Sequence, residues 1–105
     1  MSTIEEQIKK DIADNKIMIF AKGDKGAPQC GFSAAVMRAF DALGAPYVVK
    51  NVLADPALRE GIKTFSNWPT IPQIYIGGEF IGGCDITMEM SKNGELQAMV
   101  KKVLE

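Results

Sequence analysis

The amino-acid sequence predicts an α/β domain in which a four-stranded mixed sheet is flanked by helices. Three observations lead there. Over the first two-thirds of the chain, stretches of helical period alternate with short β-branched runs, the pattern of parallel strands joined by right-handed helical crossovers. Further on, two short apolar runs bracket Gly77-Gly78, a hairpin signal that adds two antiparallel strands. The third is size: 105 residues, 47% hydrophobic, without repeat, linker or low-complexity stretch, make one domain, residues 1–105, with one core.

The elements follow in order. Thr3 and Glu6 read as a capping box, and Ile4, Ile8 and Ile12 recur at helical spacing up to about Asn15. Lys16 to Ala21 is apolar and too short for a stable helix, so it reads as a buried strand, followed by a turn-rich loop from Lys22 to Gln29. From Cys30 a run rich in Ala, Val, Met and Leu favours a helix that Gly44 ends. Tyr47 to Val52 is a second strand; Asp55 caps a third helix with Pro56 in its first turn, running to about Phe65. Gln73–Ile76 and Glu79–Ile81 form the hairpin. Asp85 is read as the N-cap of a last helical region that Asn93-Gly94 interrupts before Glu95 to Leu104.

Composition narrows the function. A formal net charge of -1 with acidic and basic residues mixed lacks the electrostatic footprint of a nucleic-acid binder. Apolar runs such as Ile17–Ala21 are too short to span a bilayer, and no signal-peptide pattern opens the sequence. A cytoplasmic protein is expected, or one of an organelle matrix if a transit peptide has been removed. Cys30 and Cys84 are too few for a disulfide scaffold and match no zinc spacing. With no histidine, Cys-His and Ser-His-Asp catalysis within the chain are excluded. Nucleophilic chemistry must therefore run on cysteine.

Cys30 opens a helix and is followed by Gly31, Phe32 and Ser33, where a second cysteine at position 33 would have made a dithiol. A free thiol of pKa near ~8.5 carries little thiolate at neutral pH. The unpaired N–H groups and dipole of a helix N-terminus favour the anion, Lys22 brings a positive charge nearby, and Ser33 offers a hydroxyl or a cap. The competing reading is a buried helix cysteine, against which Pro28, Gln29 and Gly31 argue. In Trp68-Pro69-Thr70-Ile71-Pro72, a cis proline would expose the Ile71 backbone to an extended peptide ligand, although the segment also reads as an ordinary proline-rich loop. Gly82-Gly83-Cys84-Asp85 brings close backbone approach and helix N–H groups that suit a carboxylate, or is simply a hairpin exit. Arg59 and Lys63, one turn apart, read as a binding pair or a solvated face.

Together, Lys22, Cys30-Gly31-Phe32-Ser33, Trp68-Pro69-Thr70-Ile71-Pro72-Gln73 and Gly82-Gly83-Cys84-Asp85 resemble the single-domain monothiol glutaredoxins of the CGFS type, from the first helix to Leu104. The resemblance implies a thioredoxin-like fold, Pro72 in cis beside Cys30, and glutathione as ligand. In that frame Ile71 pairs with the cysteinyl backbone of glutathione, Lys22 and Arg59 meet its glycine carboxylate, Cys84 and Asp85 hold its γ-glutamyl end, and Gln29, Phe32 and Trp68 shape the rim. The family often carries proline where this chain has Lys25, which bears on the rigidity of the loop. It also implies a 2Fe-2S cluster shared across a homodimer, with Cys30 the protein ligand in each subunit and two glutathiones completing four thiolates. Recipient iron-sulfur apoproteins and a BolA-like protein are the implied partners. Two alternatives use the same thiolate: a glutathione-dependent thiol-disulfide oxidoreductase, and a redox sensor in which Cys84 resolves a disulfide with Cys30.

Overall fold

The run Ile17–Ala21 is apolar at every position because, as strand β1, it is covered on both faces. In the computed structural model, which describes residues 3–105, Ile17, Ile19 and Ala21 face a core built with Val36, Met37, Phe40, Leu96 and Val100, whereas Met18 and Phe20 face a second core with Ile8, Ile12, Leu58 and Ile62. Complete burial of each large side chain contributes about 1.5–3 kcal/mol relative to exposure.

Helix α1, Ile4–Asp14, begins as its sequence indicates, with Thr3 Oγ1 accepting from the Glu6 N–H at 3.1 Å. After β1 come two short strands, β2 (Gly23–Asp24) and β3 (Ala27–Pro28), paired antiparallel. Helix α2 spans Gly31–Ala42, and Gly44 beyond it adopts the left-handed φ of +65° that terminates helices. Strand β4 is Val48–Asn51, shorter than expected because Val52–Ala54 close a 3-10 turn capped by Asn51. Helix α3, Pro56–Ser66, is capped by Asp55. Strands β5 (Gln73–Ile76) and β6 (Glu79–Gly82) turn through Gly77-Gly78, followed by α4 (Cys84–Asn93) and α5 (Glu95–Leu104), separated at Gly94.

The strand order is β4-β1-β5-β6, with β1 parallel to β4 and antiparallel to β5, and β5 antiparallel to β6. This is the predicted mixed sheet. Helices α1 and α3 cover one face and α2, α4 and α5 the other. Two expectations are corrected. The loop 22–29 contains the β2–β3 hairpin, and the N-cap of α4 is Gly83, leaving Asp85 in the first turn, because the chain bends out of β6 at Gly82 with φ +133°. Among the described residues, no helix is long and apolar enough to cross a membrane.

Candidate functional site

The ends of four elements meet at one end of the sheet: the exit of β1 at Lys22, the N-terminus of α2, the segment 68–72 before β5, and the N-terminus of α4. They enclose an open groove of about 590 Å³ lined by Lys22, Phe32, Trp68, Ile71, Cys84 and Asp85, among others.

Cys30 is the N-cap of α2 and half-buried, with its thiol free. The Ser33 backbone N–H is the main influence holding that thiol below its ordinary value. Partial burial opposes it, while the Phe32 N–H, the Lys22 charge and the Ser33 hydroxyl reinforce it. The helix N-terminus thus outweighs Lys22, as expected when a side-chain ammonium is screened by water and amides are fixed against the sulfur. Cys84 moves the opposite way: burial pushes its thiol up, aided by the Asp85 carboxylate and the charge of Cys30. The two cysteines are therefore shifted in opposite directions, Cys30 toward the thiolate and Cys84 toward the thiol.

Ser33 is fully buried, and its hydroxyl accepts the Lys22 backbone N–H at 3.1 Å. It joins the end of β1 to the first turn of α2 and does not cap the helix. At the opposite wall the Ile71–Pro72 peptide is cis. Ile71 N–H and C=O take part in none of the turn, loop or side-chain hydrogen bonds among the described residues. A strand-like ligand lying along Ile71 would find both groups available. Gly83 explains the close approach of α4: a Cβ there would stand 3.3 Å from the Pro72 carbonyl oxygen and 3.4 Å from Trp68 Nε1. Trp68 is wedged between Gly83 and Phe80, its ring centroid 5.7 Å from that of Phe80.

The structure therefore brings Lys22, Ile71, Cys84 and Asp85 together along one groove, with Cys30 at its margin, where the charge of Lys22 acts on Cys30 and that of Cys30 on Cys84. Phe32, 63% exposed, and Trp68 form its rim; Gln29 and Arg59 are not in its lining. Arg59 Nε is buried without a hydrogen-bond partner among the described residues.

Two site-building residues escaped the reading of the residues themselves. Gln73 is fully buried; its Nε2 donates to the carbonyls of Trp68 at 2.9 Å and Thr70 at 3.2 Å, clasping the segment that carries Ile71. Asn51 Oδ1 accepts from Gly23 N–H at 3.0 Å and Leu53 N–H at 2.9 Å. The available signal at Gln73 was a polar residue at the border of an otherwise apolar strand, a placement that calls for hydrogen-bond partners.

Comparison with known proteins agrees with this geometry. A sequence model of the glutaredoxin family matches residues 17–81. An uncharacterized monothiol glutaredoxin (ycf64-like) of Synechocystis is 53% identical over 93 residues, covering 89% of this chain and 87% of that protein. The solution structure of reduced poplar apo GrxS14 superposes with a TM-score of 0.85 at 46% identity, covering 97% of this chain and 94% of the other. A buckwheat glutaredoxin in complex with glutathione gives 0.85 at 27% identity, covering 95% and 89%.

Proposed function

Since the chain belongs to the glutaredoxin family, and its likeness is to the monothiol members, we propose that it is a glutathione-binding carrier that holds a 2Fe-2S cluster between two subunits and passes it to apoproteins. The observation that carries the reading is the pairing of one thiol of lowered pKa, Cys30, with a groove at its side, while the neighbouring position where a second thiol would stand is a buried serine.

The donor set fits that cargo. Thiolates are the ligands of such clusters, and the first amides of α2 shift Cys30 toward the thiolate at a half-buried helix terminus. Among the described residues, no group of three or more His, Cys, Asp or Glu side chains lies close enough to hold a metal ion, so the cluster would take its other ligands from outside the chain. Glutathione in the groove supplies one such thiolate per subunit. Its cysteinyl backbone pairs with Ile71, and its γ-glutamyl carboxylate lies against the N–H groups that open α4 at Cys84, beside Asp85. Its glycine carboxylate meets Lys22, and Arg59 lends charge from further off. Because half of the ligands are held without covalent attachment, the cluster is transferable, as a carrier requires. A BolA-like partner with a histidine would replace part of this ligand set, which suits a chain without histidine.

The lowered thiol of Cys30 also favours a second reading, the glutathione-dependent oxidoreductase. In that reaction the thiolate attacks the glutathione sulfur of a mixed disulfide and the substrate protein leaves as a thiolate. A second glutathione then attacks, releasing glutathione disulfide and restoring Cys30.

Anaerobic reconstitution with iron, a cysteine desulfurase, its cysteine substrate and glutathione, followed by size-exclusion chromatography, tests the assignment. A brown dimer is expected that reverts to a colourless monomer when glutathione is removed. Cys30→Ser is expected to abolish the colour, and Cys84→Ser to retain it. A protein that stays colourless and monomeric yet rapidly turns over a glutathione mixed disulfide would make the second reading the correct one.

A further inference from the structure

The β2–β3 hairpin carries the chain from Lys22 at the groove to Cys30, and two contacts from outside hold it in place. Near its base, the Gly23 N–H is bound by Asn51, the last residue of β4. At its tip, Lys25 Nζ donates to the Tyr47 carbonyl at 2.8 Å and stands 4.0 Å from the centroid of the Tyr47 ring. Tyr47 itself is firmly seated. It is 5% exposed, its ring lies 5.8 Å from that of Phe40, and its hydroxyl donates to Asp41 Oδ1 at 2.7 Å. Cation, ring and carboxylate are thus linked by successive contacts. The hydroxyl bond to Asp41 adds electron density to the ring that the ammonium faces, so each contact strengthens the other. A flexible lysine on an exposed turn is thereby joined to a residue packed against α2.

We propose that Lys25 is a positioning residue for Cys30: by clasping Tyr47 it fixes the β2–β3 hairpin and, through it, the approach of the chain to the N-terminus of α2. The register of Cys30 against the Phe32 and Ser33 N–H groups depends on that approach, since only Gln29 separates β3 from Cys30, and the Gln29 N–H is itself bonded to the Lys22 carbonyl at 2.9 Å. The charge of Lys25 is not among the influences on the thiol, so an effect at Cys30 is one of position and not of direct charge. This inference stands apart from the cluster reading, and its test uses the reduced protein alone.

Hydrogen exchange of the hairpin amides and the pH profile of Cys30 alkylation, mapped by mass spectrometry, should be compared for wild type, Lys25→Met and Lys25→Arg. Lys25→Met is expected to speed exchange across residues 22–29 about threefold to tenfold and to move the alkylation midpoint of Cys30 upward. Lys25→Arg, which keeps a cation over the ring, is expected to restore both. Unchanged exchange in Lys25→Met would overturn the proposal, as would faster exchange with an unmoved Cys30 profile or failure of Lys25→Arg to restore either property. If Lys25→Met does not fold, Lys25→Gln is read by the same criteria, and misfolding of both, which would make Lys25 a global folding residue, also overturns it.

Discussion

Replacing Gln73 by leucine isolates the clasp that shapes the ligand wall of the groove. The volume is nearly conserved, so the cavity contribution is small, and the loss is in hydrogen bonding. Two bonds from Nε2 disappear, at 2.9 Å to Trp68 and 3.2 Å to Thr70, each contributing about 1 kcal/mol net. The Tyr75 hydroxyl, 3.5 Å from Gln73 Oε1, loses its partner in a buried setting, which costs about a further 1 kcal/mol. Greater burial of apolar surface by leucine offsets about 1 kcal/mol of this. The expected loss is therefore about 2 kcal/mol, a large share of the ~5–15 kcal/mol typical of a domain. With a urea slope on the order of 1 kcal/mol/M for a small protein, the unfolding midpoint should fall by about 2 M. Urea titration followed by circular dichroism measures it, and the fluorescence of Trp68, the single tryptophan, reports the groove in the same experiment. Glutathione affinity should weaken in parallel, because Ile71 is no longer held in place. A midpoint shift below about 0.5 M would show that water replaces the Gln73 bonds without cost. A full shift with unaltered glutathione affinity would separate the clasp from the binding wall.

The two cysteines should be chemically distinguishable: at neutral pH iodoacetamide is expected to modify Cys30 well before Cys84, whereas equal labelling would contradict their opposite pKa shifts. A thiol whose folded value is lowered binds fewer protons in the native state, so its contribution to stability grows as pH rises from that folded value to the unfolded one near 9.0. The difference in unfolding midpoint between wild type and Cys30→Ser should change in wild type's favour across that interval and level off above it. Asp85→Asn removes a carboxylate that raises Cys84, so Cys84 labelling should accelerate; an unchanged rate would leave burial and the charge of Cys30 as the causes. Gly23→Ala would set a Cβ 2.6 Å from both the Ala27 carbonyl oxygen and the Gln29 nitrogen at φ +109°, and a loss on the order of 3 kcal/mol is expected in thermal or urea unfolding.

What the sequence disclosed was mostly local. Thr3 and Asp55 act on amides within one turn of themselves, so the start of α1 and of α3 could be read directly. The parallel pairing of β1 with β4 and the antiparallel β5–β6 hairpin followed from chain direction and crossover handedness, which need no side-chain detail, whereas the order of the strands across the sheet did not. Gly83 displaced Asp85 as N-cap because the bend leaving β6 is set by packing against Trp68 and Pro72, residues remote in sequence. The β2–β3 hairpin was hidden for a similar reason: its strands are two residues long and are held by Asn51 and Tyr47 from across the fold. At the site, the positions of Lys22, Ile71, Cys84 and Asp85 were legible as motifs. The ranking of influences on Cys30 was not, because it depends on which N–H groups point at one sulfur.

Ser33 makes the single-thiol state costly to abandon. A variant with cysteine at that position would exchange a good acceptor oxygen for a weak sulfur one at the bond from Lys22, in a space with no solvent access and little room for the larger atom. The gain of a second redox centre would loosen the junction between β1 and α2 on which the first one rests. Conversion to a dithiol would therefore call for compensating changes at that junction, so a one-step replacement at Ser33 starts at a disadvantage in both stability and reactivity.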